Sequence, residues 1–163
     1  MMVKVRSVKP GDANDILKIY NFYISNSIVT FDENKKTLDD IKIKISTITA
    51  LYPWYILEIN GSVVGFAYAS QWKNKSAYNK SVEGTVYVKN GFHGKGYGLM
   101  LYNNLIEELK KQKFHSILGL ISLPNDESVA LHEKLNFEKV AHFREIGKKF
   151  DKYIDVGCWQ LIL

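Results

Sequence analysis

The sequence predicts an α+β fold built on one mixed β-sheet, with elements in the order β-α-α-β-β-β-α-β-α-β-β. Three stretches carry that prediction. Trp54–Ile59 and Ser62–Gln71 are strand-like runs joined by Asn60-Gly61, the pair that a two-residue hairpin turn favours. Residues 81–109 pass from a row of β-branched and aromatic residues (Thr85, Val86, Tyr87, Val88) through a glycine-rich loop. They end in a helical stripe of Gly98, Leu101, Tyr102, Leu105 and Leu109. Residues 114–123 are nearly continuous in apolar side chains, as a buried strand is.

The remaining elements follow in order. Residues 3–8 alternate apolar and polar (Val3, Val5, then Ser7 and Val8) and open the chain as a short strand. Pro10-Gly11-Asp12 is a turn ending in an N-cap, and from Asp12 a helix carries Ile16, Ile19, Tyr20 and Tyr23 inward. Residues 25–32 form a loop with Phe31 near its end. Thr37-Leu38-Asp39-Asp40 has the form of a capping box and opens a second helix whose stripe is Leu38, Ile41, Ile45 and Ile48. Beyond the hairpin, residues 73–80 are polar and form a loop containing Tyr78. The helix after the glycines closes on Lys110 and Lys111, cations favoured at that end by the helix dipole. Asn125-Asp126-Glu127-Ser128 caps a short helix holding Val129, Leu131, His132 and Leu135. Residues 137–146 and 150–161 close the chain as two strands.

Composition narrows the possible functions. A chain of 163 residues is expected as one domain spanning residues 1–163, and 46% hydrophobic with 13% aromatic content supplies a full core. It has no apolar run of about 18 residues to span a membrane, and its start does not read as a signal peptide. The one cysteine, Cys158, rules out an internal disulfide, and a cytoplasmic location is expected. Cys158 lies in an apolar terminal strand without a local partner signature and reads as core. The net charge of +5 suits an anionic ligand without naming one. The lysines are scattered and no helix-turn-helix, zinc-finger or RNP pattern is present, so nucleic acid is not expected as a partner. No His, Cys, Asp or Glu cluster has metal-ligand spacing, and no metal is expected.

The chemistry concentrates in His93-Gly94-Lys95-Gly96-Tyr97-Gly98. Glycines at alternate positions leave the backbone bare, so N–H groups can converge on an anion, and the following helix points its positive end at the same spot. A strand, a bare loop and a helix N-terminus together make a pyrophosphate cradle. The spacing is not that of a Walker A loop, because no Ser or Thr follows Lys95. A dinucleotide fingerprint requires an acidic residue about 20 residues further on. Residues 114–124 contain none, so a nicotinamide oxidoreductase rests on the glycines alone.

The same residues resemble the acetyl-CoA signature of the GNAT (GCN5-related) N-acetyltransferase superfamily: Gln or Arg, two residues, Gly, one residue, then Gly or Ala. A second element of that family, Asn-x-x-Ser-x-x-Leu-Tyr-x-x-x-Gly-Phe, is matched from Asn125 through Ser128, Leu131 and His132 to Asn136-Phe137. Two such elements in the right order are a specific signal. Within the superfamily the chain is similar to the phosphinothricin and methionine sulfoximine acetyltransferase branch. The matching pieces are Ile19-Tyr20-Asn21 before Thr30-Phe31, Ala77-Tyr78 before Val82-Glu83, and Ser128-Val129-Ala130-Leu131-His132. Lys149-Phe150 and Asp155-Val156-Gly157-Cys158-Trp159-Gln160 match as well.

Three positions depart from the pattern. His93 replaces the usual Arg, which weakens one cationic contact to phosphate and leaves the backbone cradle intact. Asn136 replaces Gly, and both tolerate the left-handed conformation at a helix end. Asn79 stands where this branch commonly places Arg, a residue suited to an anionic amino acid.

The resemblance implies a GNAT-type acyltransferase fold and acetyl-CoA as co-substrate. It further implies a small, amino-acid-like amine acceptor and a homodimer; transfer is expected to be direct, in a ternary complex, since no nucleophile presents itself. Backbone groups of Val86 and Val88, on the strand Val86-Tyr87-Val88, would pair with the pantetheine arm as an added strand does. The pyrophosphate would fall on Gly94, Lys95, Gly96, Tyr97, Gly98 and Leu99, with His93, Asn125 and Ser128 alongside. Glu83 interrupts an otherwise apolar strand beside Gly84, so a carboxylate there has a raised pKa and is the candidate base, directly or through water. His132 occupies the position of the family's proton-donating Tyr, either as the acid or as a hydrogen-bond partner of the sulfur. Phe31, Tyr78 and Glu83 are the candidate acceptor-pocket residues. The rival of another class is an acyl-CoA-binding module without turnover.

Overall fold

Asn60 and Gly61 both adopt left-handed backbone angles (φ 49° and 84°), as a tight hairpin turn requires. They join β2 (Trp54–Ile59) to β3 (Ser62–Gln71). The computed structural model describes residues 1–163. Around that hairpin lie β1 (Val3–Ser7), β4 (Ser81–Val88), β5 (Ser116–Leu123), β6 (Glu138–Lys149) and β7 (Lys152–Ile162). The helices are α1 (Ala13–Asn26), α2 (Leu38–Thr49), α3 (Tyr97–Lys111) and α4 (Asp126–Lys134). The seven strands form one mixed sheet in the order β1-β2-β3-β4-β5-β7-β6, as the α+β reading expects.

Every neighbouring pair is antiparallel except β4 and β5, which α3 connects as a crossover. Their ladder is short: Ser81↔Ser116, Val82↔Ile117 and Glu83↔Leu118. Beyond it β4 stays paired with β3 to Val88, and β5 stays paired with β7 to Leu123. The sheet therefore splits between β4 and β5 at Gly84. On one face α3 buries Leu101, Tyr102, Leu105 and Leu109 against Val82, Ile117, Ile121 and Trp159. On the other, α1 and α2 bury Ile16, Ile24, Ile41 and Ile45 against Trp54, Ile56, Phe66 and Tyr68.

The capping box forms as read. Thr37 Oγ1 accepts from the Asp40 N–H at 3.2 Å and Asp40 Oδ2 accepts from the Thr37 N–H at 2.7 Å. Other expectations need correction. Asp12 does not cap α1 with its side chain, because its carboxylate already takes Arg6 at 2.7 and 2.8 Å and the Lys9 N–H at 2.7 Å. Leu38 lies outside the α2 stripe at 37% exposure, having fallen at the first turn where the core does not reach. Strand β5 starts at Ser116 because Lys113 takes a left-handed angle (φ 59°) and Phe114 donates back to the Leu109 carbonyl, closing the helix. Strand β6 runs three residues further than its sequence pattern, to Lys149, through a register shift between Phe143 and Gly147.

Candidate active site

A cavity of about 1110 Å³ opens along the β4/β5 split and continues onto the α1/α2 face of the sheet. Pleating decides what β4 presents to it. The Lys89 N–H bonds Val64 on β3, so the alternate residues Val86 and Val88 aim their backbone groups away from β3 and into the split. Those of Val86 have no partner strand, because pairing with β5 ends at Glu83. The Val88 carbonyl is engaged, accepting from the Tyr23 hydroxyl and from His93 Nε2 at 3.1 Å. Tyr87 turns its backbone to β3 and its ring toward Tyr20, Tyr23 and Phe66, where it lines the cavity.

The glycine loop takes the bare form that an anion cradle needs. Gly94 and Gly96 lie at φ 72° and 79°, angles that a side chain would strain. Gly96 is the N-cap of α3 and no side chain caps that end, leaving the first-turn N–H groups of Tyr97, Gly98 and Leu99 open toward the cavity. His93 lines the cavity, but its ring is committed to Tyr23 at 2.6 Å and to Val88, so it anchors the end of β4 to α1. Lys95 rests its ammonium 5.3 Å over the Phe92 ring and does not line the cavity. Across the split, Asn125 caps α4 by accepting from the Ser128 N–H at 3.1 Å, and both residues line the wall.

Glu83 stands at the last β4/β5 pair, its side chain on the α1/α2 face, where it lines the cavity. Burial holds its carboxyl above the usual range, and the charges of Lys44 and Lys73 oppose that shift. His132 is 4% exposed and donates Nδ1–H to the Ser128 carbonyl at 2.7 Å. Burial lowers its pKa, so the ring is neutral with Nε2 bare. That ring accepts a hydrogen bond rather than giving one, and the acid role implied by the resemblance would require it to be charged first. Gly119 makes room for it, since a Cβ there would lie 2.4 Å from Nε2. Cys158 is buried and unpaired, and burial pushes its thiol up, as fits a core residue.

The end of the cavity expected to take the acceptor is walled by Val29, Phe31, Tyr68, Trp72, Phe143 and Ile146. Tyr78 is not among them; it sits on a 3₁₀ turn (Ser76–Tyr78), 43% exposed, away from the lining. Phe143 and Ile146 are three residues apart and in a regular strand would point to opposite faces; the β6 register shift brings both to one wall. Glu145 occupies the bulge at φ 50° and donates its N–H to Asp155 at 2.7 Å.

Lys149 fixes the loop that carries Phe31. Its side chain is buried, and Nζ donates to the Ser27 and Thr30 carbonyls at 2.7 and 2.8 Å. Phe31 itself packs on Gly147, where a Cβ would lie 2.2 Å from the ring. Lys149→Met leaves both carbonyls without their donor, and the expected cost is about 1–3 kcal/mol, read as a lower urea midpoint. Because the loop walls only the acceptor end, the acceptor KM rises while acetyl-CoA affinity by calorimetry stays at the parent value.

No group of three or more His, Cys, Asp or Glu side chains has the geometry to hold a metal. No helix is long and apolar enough to cross a membrane. The family model described as an acetyltransferase (GNAT) domain matches residues 5–157. The chain is 37% identical over 158 residues to the phosphinothricin N-acetyltransferase of Streptomyces viridochromogenes, covering 97% of this chain and 86% of that one. It is 30% identical over 165 residues to an L-methionine sulfoximine/L-methionine sulfone acetyltransferase of Pseudomonas aeruginosa, covering 100% and 96%. Its fold superposes on a phosphinothricin acetyltransferase from Sinorhizobium meliloti in complex with AcCoA, with a TM-score of 0.96 at 29% identity, covering 100% of this chain and 89% of that one.

Proposed function

The chain belongs to the GNAT acetyltransferase family and is an acetyl-CoA-dependent N-acetyltransferase; from that premise we propose that its acceptor is the α-amine of a small amino acid of the methionine sulfone or phosphinothricin type. The observation that carries this reading is the split at Gly84. It sets one half-buried carboxylate, Glu83, between a glycine cradle on one side and an apolar pocket on the other.

Acetyl-CoA supplies an activated acyl group as a thioester. The chain's own residues do the rest. The backbone of Val86 pairs with the pantetheine amides in place of a fifth-strand neighbour, and the α3 N-terminus with Gly94 and Gly96 takes the pyrophosphate. Glu83, ionised, accepts a proton from the acceptor ammonium and leaves a neutral amine facing the acyl carbon. The amine nitrogen bonds to the acyl carbon, the C–S bond breaks, and the leaving sulfur takes the proton that the nitrogen sheds; His132, its Nε2 bare, accepts a hydrogen bond from the thiol so formed. The protein works in the cytoplasm, a setting supported by its single unpaired thiol. It works as a homodimer, a reading supported by the apolar side chains that β6 and β7 expose, Val140, Tyr153 and Ile162 among them.

A free-thiol assay over a panel of amines tests the acceptor class. Methionine sulfone, methionine sulfoximine and phosphinothricin are expected to release coenzyme A far above the buffer rate. A panel in which no amino acid does so overturns it.

A further inference from the structure

Resting on the amino-acid reading above, we infer that Lys44 is the group that recognises the acceptor's α-carboxylate, its ammonium held for that purpose across the faces of Tyr20 and Tyr68. An amino acid presents opposite charges on either side of one carbon. A site for it needs a cation a few ångströms from the base that receives its ammonium. Neither of the chain's arginines, Arg6 and Arg144, lines the cavity, and Asn79 stands exposed outside it. Among the lysines, Lys73 and Lys134 line the cavity, and Lys44 stands against two rings that line it.

Lys44 is placed for the task. It projects from α2 with Nζ 5.3 Å from the Tyr20 ring centroid and 5.0 Å from that of Tyr68, and both rings line the cavity at its acceptor end. The platform is rigid. The Tyr20 hydroxyl is fixed by Asp32 at 2.5 Å and Thr30 at 3.0 Å, and Tyr68 stacks on Trp54 at 4.4 Å. No carboxylate lies within ion-pair distance of Lys44, in contrast to Lys36 on the neighbouring loop, which pairs with Asp32 at 3.3 Å. Its charge nonetheless acts on Glu83 ahead of that of Lys73. Lys73 is exposed and lies over Trp72, free to move with solvent, whereas Lys44 is half-buried and held. A cation parked on two aromatic faces and without a counter-ion completes its pairing when an anionic group enters.

The test compares methionine sulfone with the amine that lacks its carboxylate, 3-(methylsulfonyl)propylamine, in the parent, Lys44→Met and Lys44→Arg proteins. Parent enzyme is expected to prefer the amino acid in kcat/KM. Lys44→Met, which keeps the stem on the rings, is expected to lower kcat/KM for the amino acid about 10- to 100-fold, mostly through KM, and to leave the amine within about twofold. Lys44→Arg restores most of the preference. Equal losses on both acceptors, or no loss on either, overturn the inference, as does a parent enzyme that uses amine and amino acid alike. A parent enzyme that acetylates neither compound nor any other amino acid brings down the acceptor class itself, a result separable from these.

Discussion

Glu83→Gln lowers kcat about 10²- to 10⁴-fold, the range for loss of a general base, while acetyl-CoA binds as it does to the parent. Glutamine has the same shape and cannot take a proton from an ammonium. The pH dependence follows from the direction of the Glu83 shift. Burial raises its pKa, so the parent rate falls as pH drops through that raised value and the carboxyl becomes protonated. In the Gln protein this acid limb is absent. Stability moves the opposite way. A carboxyl whose folded pKa exceeds its unfolded one binds more protons when folded, so folding weakens as pH rises through that window and the full penalty is present above it. The Gln protein does not carry the penalty and at pH 7 melts at or above the parent temperature. A variant that loses both rate and melting temperature would mean that Glu83 is structural. Calorimetry, pH–rate profiles and thermal melts separate the two.

The second large effect belongs to Gly84→Ala. A Cβ at Gly84 would lie 2.3 Å from the Tyr102 hydroxyl oxygen and 2.9 Å from the ring, and that ring is wholly buried against Phe137 and His132. Neither partner can give way easily: β4 is laddered to β3 without a bulge at this point, and Tyr102 is locked in the α3 core. The expected cost is about 1–3 kcal/mol, or a melting point lower by about 2–4 °C for each kcal/mol. The added methyl also pushes β4 off α3 beside Glu83, so kcat falls in the protein that remains folded. An unchanged melting curve would show that the strand shifts freely there.

The features legible in the sequence are those set by local chemistry. Asn60-Gly61 specifies a turn type, Thr37 with Asp40 specifies a cap, and the spacing of Gly94, Gly96 and Gly98 leaves main-chain amides bare whatever the rest of the chain does. Glu83 was legible because a carboxylate in an apolar strand is anomalous in itself. What escaped depends on long-range geometry. Phe143 and Ile146 share a wall only because β6 shifts register around Glu145, and period-two reasoning sends them to opposite faces. Lys149 reads as a terminal surface lysine until the carbonyls of Ser27 and Thr30 close over it. Lys44 lies off the apolar stripe of α2, and its place on Tyr20 and Tyr68 needs three separate elements to meet. Tyr78 differs for the converse reason: an aromatic in a polar loop reads as a wall, and the 3₁₀ turn leaves it exposed outside the cavity lining.

The three-pair ladder between β4 and β5 divides the sheet into two plates joined along one short weld, with α3 riveted across the back. The groups proposed to grip the coenzyme cluster on the inner margin of that weld. The surfaces proposed to judge the amine hang from the outer hairpin and from the strap before α2. Drift in the outer parts can retune which amines are accepted without disturbing the coenzyme grip, so one chassis can serve many acceptors.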